Sequence, residues 1–363
     1  MPSAHPLISL PPENAPAFVD QMVQAAESAR ASDIHLQMNR GSADITFRLD
    51  GVITPWQMLA LPLAECVFGR IKFLARLATY QESMPQEGRI DKSSLGANGD
   101  IRVATYPTVT GEKIVMRLFD HGEAQTLDEI NLIPEVRAEV ESFLRRTSGL
   151  LLLTGPAGSG KTTTIYACLK RLVQIGGRHI ITIEDPAEQI IPGVMQTEVN
   201  EAQGLTFARA TRHLLRQDPQ VLVVGEIRDE ETAGIAVRAA LTGHLMISTL
   251  HAGSCRGVVE RLLLLCPDSF AVLSSLELIL NQRLVRRYCA NCAGAGCPHC
   301  LGTGYRGRIP IIESCRLDEP LRKRLRETGP SAIQPARDLA SVAGTMVAQK
   351  ITSQSEIERV LGA

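Results

Sequence analysis

Gly155-Pro156-Ala157-Gly158-Ser159-Gly160-Lys161-Thr162 follows the apolar run Leu150-Leu151-Leu152-Leu153 and leads into Thr163-Thr164-Ile165-Tyr166-Ala167-Cys168-Leu169. An apolar strand, a glycine-rich turn and a helix in that order read as a phosphate-binding loop. Glycines let consecutive backbone N–H groups converge on phosphate oxygens, and the following helix presents its positive end. Contacts to a nucleotide, ATP, are expected from Gly155 through Thr163, with Lys161 reaching the β/γ oxygens and the Thr162 hydroxyl ligating Mg²⁺.

Phosphoryl transfer also needs carboxylates for the metal and the attacking water, and positive charge for the transition state. Two further strand-then-acid segments supply the carboxylates. Ile180-Ile181-Thr182-Ile183 runs into Glu184-Asp185-Pro186-Ala187-Glu188, and Val221-Leu222-Val223-Val224 runs into Gly225-Glu226-Ile227-Arg228-Asp229. Both read as buried parallel strands with acids at their carboxyl ends, where open α/β sheets bind ligands. Gly225 stands where a metal-organising Asp is common. That leaves Glu226 as the candidate for the metal shell and Glu184 for activating water, although either carboxylate can polarise it. A fourth strand-like run, Leu245 to Leu250, ends in His251-Ala252-Gly253 and brings an imidazole toward the same edge.

These segments, in this order, resemble the secretion ATPase superfamily, and within it the assembly motors of type II secretion, type IV pili and competence systems. The resemblance rests on the loop 155–162, on Ile181-Thr182-Ile183-Glu184-Asp185-Pro186 (the family's Asp box), on Leu215-Arg216-Gln217-Asp218-Pro219 ahead of the second acid segment, and on Ser248-Thr249-Leu250-His251 (its His box). It extends upstream to Ala31-Ser32-Asp33-Ile34-His35, Phe47-Arg48-Leu49-Asp50-Gly51-Val52 and the stretch Arg102 to Leu118. It implies an α/β chain with a small PAS-like domain over 1–120, a hinge at 121–128 and a RecA-like ATPase domain over 129–363. It also implies a ring-shaped homohexamer, His251 sensing the γ-phosphate, and Arg102 and Arg117 reaching that phosphate from the first domain, which is expected to close over its own subunit's nucleotide. A guanidinium suits the task because it stays charged and contacts phosphate oxygens in pairs.

The first domain opens with a Pro-rich lead and a helical pattern over 17–31, with Phe18, Val19, Met22, Val23 and Ala26 on one face. Strands at 34–38 and 43–49 flank the turn-like Asn39-Arg40-Gly41-Ser42 and read as a hairpin. A helix over about 63–78 and strands at 101–104 and 113–118 complete the unit. Arg89 reads equally as a phosphate ligand and as a surface ion pair. Asp33 and His35 lack a third ligand, so they are expected to make fold-stabilising contacts on the solvent face of the sheet rather than bind metal.

A second chemical signature is Cys289-Ala290-Asn291-Cys292-Ala293-Gly294-Ala295-Gly296-Cys297-Pro298-His299-Cys300-Leu301-Gly302-Thr303-Gly304, in which C-x-x-C-x-G-x-G occurs twice. Each C-x-x-C can place two thiolates on one metal, so Cys289, Cys292, Cys297 and Cys300 are expected to close a structural Zn²⁺ site in segment 289–304 of the ATPase domain. In the family's assembly motors the two pairs are separated by a longer insert than the four residues 293–296. Cys66, Cys168, Cys255, Cys266 and Cys315 have no such spacing and are expected to be buried apolar residues.

The stretch 269–285 has apolar residues at Phe270, Leu273, Leu276, Leu280 and Leu284, a spacing that predicts a helix with one packing face. Leu321-Arg322-Lys323-Arg324-Leu325-Arg326 reads as a solvated basic helix face. A formal net charge of -1 over 363 residues gives no whole-chain attraction to nucleic acid or anionic membrane, and no basic and apolar leader stands at the N-terminus. Nine cysteines in an ATP-dependent chain fit thiols or metal ligands in a reducing compartment.

The expectation is therefore a cytoplasmic motor at the inner face of the cytoplasmic membrane, associated with it through platform and adaptor proteins of a secretion or pilus system. The chain opens close to the segments that carry the resemblance, so docking is expected to use a surface other than an added N-terminal domain. Four rivals are a pilus retraction motor, a type IV secretion or conjugation ATPase, a nucleotide-gated module without turnover, and a DNA translocase. The cysteine segment disfavours the first two, because retraction and effector-secretion relatives generally lack it. The full set of acids and arginines disfavours the third, and the absence of basic and aromatic interleaving around Cys289 to Cys300 disfavours the fourth.

Overall fold

A computed structural model describes residues 7–118 and 124–362. The chain divides into two compact units, one of residues 1–122 with 286–307, the other of residues 123–285 with 308–363.

In the first unit a seven-stranded sheet contains β1 (Leu7–Ile8), β2 (Ala31–Met38), β3 (Ser42–Leu49), β4 (Val52–Ala60), β5 (Gln86–Ile90), β6 (Ile101–Thr108) and β7 (Gly111–Leu118), in the order β1-β4-β3-β2-β7-β6-β5. β2 and β3 form the expected antiparallel hairpin. Helices α1 (Ala15–Ser28) and α2 (Leu61–Leu74) cover one face, burying Phe18, Met22, Val67 and Ile71 with Ile34, Leu36, Ile45, Phe47, Val103 and Met116. Alternation along each strand sends the remaining side chains to the opposite, open face. The first helix stops before residue 31 because Ala31 already pairs with Leu49 in the sheet.

The second unit holds α3 (Pro134–Leu144), β8 (Gly149–Thr154), α4 (Lys161–Ile175), β9 (Ile180–Glu184), β10 (Met195–Glu198), α5 (Phe207–Leu214), β11 (Val221–Val224), α6 (Glu230–Leu241), β12 (Leu245–Thr249), α7 (Cys255–Leu265) and α8 (Ser269–Ser275). They are followed by β13 (Leu276–Tyr288), β14 (Tyr305–Arg316), α9 (Glu319–Thr328), α10 (Leu339–Ala348) and α11 (Gln354–Leu361). Its sheet runs β10-β9-β11-β12-β8-β13-β14, and β10, β9, β11, β12, β8 and β13 pair in parallel. Both faces are covered. Leu150 and Leu152 pack with Ile183, Val224 and Met246 against α5 to α8, whereas Leu151 and Leu153 pack with Val223 and Ile247 against α3 and α4. This two-sided burial is why the parallel strands read as unbroken apolar runs rather than alternations.

One expectation is corrected. The stretch 269–285 is not one helix: α8 ends at Ser275, and Leu276 begins β13, paired with β8. Leu276, Leu278 and Leu280 satisfy a two-residue period as well as a helical one, and the neighbouring buried strand selects the former. The cysteine segment, expected as part of the ATPase domain, groups with the first unit, where Gly307 N–H donates to Asp50 Oδ2 at 2.8 Å and the Arg306 guanidinium to the Ser28 carbonyl at 3.3 Å. Of the expected hinge at 121–128, residues 121–123 lie outside the described residues, while Ala124 and Leu127 are buried in the second unit's core. The basic stretch 321–326 lies within α9. Leu321 and Leu325 are buried there, and Arg322 donates to the carbonyls of Leu273 and Leu276.

Candidate active site

Strand register assembles the site. Val224 pairs with both Ile183 and Ser248, and Ser248 with Leu152. One step beyond that row the chain reaches Glu184, Gly225, Thr249 and Leu153, so the loop, both acid segments and the histidine segment leave the sheet at the same edge. Side chains stitch it: Ser248 Oγ donates to the Val224 carbonyl at 2.6 Å, Thr249 Oγ1 to the Gly225 carbonyl at 2.9 Å, and Thr154 Oγ1 to the Ala252 carbonyl at 2.7 Å. A cavity of about 290 Å³ opens there, lined by Lys161, Thr162, Glu184, Glu188, Glu226 and His251 among others.

The loop is shaped from behind by β13. Gly155 has φ +142°, and a Cβ there would lie 2.3 Å from the Gln282 carbonyl oxygen. Gly160 has φ +86°, with its Cβ position 2.8 Å from Gln282 Nε2. Buried Gln282 donates Nε2 to the Ser159 carbonyl at 2.7 Å and accepts from Thr164 Oγ1 at 2.9 Å, holding the loop and the first turn of α4 together. The sequence carries no signal for this residue, because 123 positions separate it from Ser159. Lys161 Nζ donates to the carbonyls of Gly155 and Pro156 at 2.8 and 2.9 Å. Burial draws its pKa below the usual lysine value, with Glu226 opposing and Arg283 adding to the shift.

The two acids expected to act have unlike surroundings. Glu226 sits at the cavity with its carboxylate 2.5 Å from Arg228 and 3.3 Å from His251 Nε2. Burial alone would raise its pKa, but the hydrogen bond and charge of Arg228, with His251, outweigh that and hold it below the ordinary carboxylate value. Gly225, where an aspartate is common, stands in a tight place: a Cβ would meet the Ile183 carbonyl at 3.1 Å and the Phe207 ring at 3.2 Å. Glu184 is buried and firmly held, at the wall of the same cavity. Its Oε1 accepts from Thr182 Oγ1 at 2.5 Å and Gln196 Nε2 at 2.9 Å, and its Oε2 accepts from the Tyr166 hydroxyl. Three donors on two oxygens leave about one of the carboxylate's acceptor sites for a water. Glu188 in the acid segment and Tyr166 in the helix, to which the sequence assigns no role, also line the cavity. Their signal was available: Glu188 lies four residues past Glu184, and Tyr166 five past Lys161.

Arg102 and Arg117 belong to the first unit and pair directly across β6 and β7, both exposed on its open face. Continuing the register outward, Arg89 opposes Arg102 and Asp33 opposes Arg117, with Arg48 beyond it. One row across five strands therefore reads Arg89, Arg102, Arg117, Asp33, Arg48. Arg89 is ion-paired with Asp100, as the surface reading had it. Asp33 is buried rather than solvent-facing, and it takes Arg117 Nε at 3.0 Å and Arg48 Nε at 3.2 Å. Burial would raise the Asp33 pKa, yet its bonds to Arg117 and Ser32 and the two arginine charges bring it below the usual value.

Despite the short spacer, the four sulfurs of Cys289, Cys292, Cys297 and Cys300 lie within 4.8 Å of one another. Cys289–Cys297, Cys292–Cys300 and Cys297–Cys300 separations are 3.9, 3.8 and 3.7 Å. A tetrahedron with metal–sulfur bonds of about 2.3 Å has edges of about 3.8 Å, so the donor set fits Zn²⁺. The backbone N–H groups of Cys297 and Gly304 donate to the Cys300 sulfur at 3.2 and 3.3 Å, as a thiolate requires. Of the remaining cysteines, Cys168, Cys255 and Cys315 are buried as expected, whereas Cys66 is exposed and Cys266 half-buried.

A loop, acids and a histidine at the carboxyl edge of a parallel sheet define a nucleotide-dependent enzyme class. The family described as type II/IV secretion system protein matches residues 13–359, and the chain belongs to it. The type II secretion system protein HxcR of Pseudomonas aeruginosa is 39% identical over 336 residues, 90% of this chain and 71% of that protein. The type IV pilus assembly ATPase PilB of Thermus thermophilus is 37% identical over 333 residues, 84% of this chain but 37% of that protein. Among solved structures, the ATPase DotB of Legionella pneumophila superimposes with a TM-score of 0.74 at 21% identity, covering 98% of each chain, and shows the fold. No helix among the described residues is long and apolar enough to cross a membrane.

Proposed function

We propose that this chain is the ATP-hydrolysing motor that drives assembly of a type II secretion pseudopilus or a type IV pilus. The observation that carries the reading is the convergence of Lys161, Thr162, Glu226 and His251 on one cavity at the sheet edge. Lys161 turns from its loop carbonyls to the β/γ-phosphates, and His251 senses the γ-phosphate beside Glu226. The Thr162 hydroxyl and a shell ordered by Glu226 would hold Mg²⁺, which would supply charge neutralisation at the phosphates. Glu184, which lines the cavity beside Glu188, is assigned to activating water. Arg102 and Arg117 supply transition-state charge from the first unit, closing over the nucleotide of their own subunit within a homohexamer.

Zn²⁺ on the four cysteines is structural, since the sulfurs complete its coordination. The same cluster favours assembly over retraction and over effector secretion. Platform and adaptor proteins at the cytoplasmic face of the inner membrane are the proposed partners, with no role for nucleic acid. Phosphate release from ATP by the purified chain, together with loss of pilin or pseudopilin assembly in cells lacking it, tests the reading. A chain that binds ATP without turnover, with partner proteins present, overturns it.

A further inference from the structure

We propose that Gln282 is a positioning residue for nucleotide binding: its side-chain amide turns the Ser159–Gly160 peptide so that the Gly160 N–H points into the phosphate loop. The inference rests on the reading of residues 155–162 as the loop that holds ATP. Asn281 pairs with Thr154, the last residue of β8, while β13 continues to Tyr288. Gln282 therefore stands beside Gly155, where the strand has ended and the loop has begun. Both bonding groups of its side chain are used inside the protein. Nε2 donates to the Ser159 carbonyl at 2.7 Å, and Oε1 accepts from Thr164 Oγ1 at 2.9 Å. These bonds fix which way the amide lies, because a flipped amide would set its oxygen against the Ser159 carbonyl.

The Ser159–Gly160 peptide is trans and planar, so its C=O and N–H point in opposite directions. Drawing the carbonyl toward β13 sends the Gly160 N–H the other way, to the inside of the loop. Among the described residues that N–H meets no acceptor, although the Gly160 carbonyl already takes the Thr164 N–H at 3.0 Å. Gly160 also has no Cβ to keep the amide away: one built there would lie 2.8 Å from Gln282 Nε2 and 3.3 Å from a Leu284 methyl. A backbone N–H bonded to a charged phosphate holds it about twice as strongly as a neutral acceptor, so misdirecting one such group is felt in affinity. The bond from Thr164 ties the same glutamine to α4 but turns no peptide of the loop. It supplies an internal control, since Thr164 and Gln282 are equally buried at 2% exposure.

The test is Gln282→Met in the full chain beside Thr164→Val, each measured by equilibrium binding of a fluorescent ADP well below its melting temperature. ADP lacks the γ-phosphate, which keeps His251 out of the measurement. Gln282→Met is expected to weaken ADP binding by about tenfold or more, and Thr164→Val by less than about twofold. General loosening of the buried cluster would weaken both alike, and that result overturns the inference. Gln282→Glu keeps the size and the bond from Thr164 but sets a carboxylate oxygen against the Ser159 carbonyl. Its loss is expected to match or exceed that of Gln282→Met, and it decides alone should Gln282→Met fail to fold; wild-type affinity in Gln282→Glu overturns the inference. Lys161→Ala separates the inference from the reading beneath it. Weak binding by Lys161→Ala beside wild-type binding by Gln282→Met overturns the positioning and leaves the phosphate loop standing. Wild-type binding by Lys161→Ala overturns the loop assignment and the inference with it.

Discussion

The two sheets of this protein use opposite solutions to the same task of presenting charged groups. The parallel sheet of the second unit is buried on both faces, so its polar chemistry is confined to the strand ends, where Gly155 to Thr162, Glu226 and His251 gather. The antiparallel sheet of the first unit packs helices on one face only, and its open face carries a cross-strand row of four arginines around Asp33. An end-of-strand site depends on register and on backbone amides. A face site depends on side-chain charge and tolerates more change. The contrast predicts that substitutions at the parallel edge are the costlier.

The largest effects are expected at that edge. Glu226→Gln should lower turnover by at least about a hundredfold, a loss of about 2.7 kcal/mol in transition-state stabilisation, with ATP affinity largely kept. Lys161→Ala should weaken nucleotide binding itself. Equilibrium binding and single-turnover assays read the two separately, and near-normal turnover of Glu226→Gln would break the contrast at its stronger side.

On the open face, Arg102→Ala and Arg117→Ala are expected to cost about tenfold or more in kcat each, without loss of fold. Mixing Lys161→Ala protein with the Arg102→Ala,Arg117→Ala variant tells whose nucleotide the arginines serve. Action within one subunit predicts no recovery, and clear recovery after confirmed subunit exchange reverses that choice.

At the cysteine cluster the expected effect is on stability rather than chemistry. Metal analysis should find one Zn²⁺ per chain, and replacing Cys289 and Cys297 by Ser should remove it and lower the melting temperature more than kcat per folded molecule. Metal content unchanged by the double substitution refutes the four-sulfur site.

The smaller effects sharpen the comparison within the arginine row. Asp33→Ala removes a buried anion from two partners that can turn to water, so a loss of about 1–2 kcal/mol is expected, below that of a fully buried pair. Because the folded-state pKa of Asp33 lies below its unfolded value, its contribution is complete above the unfolded pKa near 3.8 and fades as pH falls through the lower folded value. Denaturant titrations of wild type and Asp33→Ala should therefore converge in acid. Arg89→Ala, at an exposed pair with Asp100, should change stability by under about 0.5 kcal/mol. A larger loss would mean that the row acts as one network.

Much of this was legible in the sequence, and the parts that were not have a common cause. Leu150 to Leu153, the glycine spacing and the two C-x-x-C pairs are local patterns: four consecutive leucines suit a strand buried on both sides, and a C-x-x-C turn brings two sulfurs together wherever it is placed. The helix over 15–28 and the β2–β3 hairpin followed from periodicity for the same reason. What failed or was missed depended on partners far along the chain. Residues 276–285 became a strand because β8 lay open beside them, and the cysteine segment grouped with the first unit through bonds from Arg306 and Gly307 to Ser28 and Asp50. Glu184 and Glu188 look alike as acids in one short segment and both line the cavity, and only the arrival of Tyr166 and Gln196 from other elements ties the Glu184 carboxylate into a hydrogen-bond network. Sequence alone determined which groups could do chemistry, since residue type and local spacing fix donor, charge and turn geometry. Tertiary structure decided which of them are exposed to do it, because burial and hydrogen-bond saturation are properties of neighbours that local spacing does not carry.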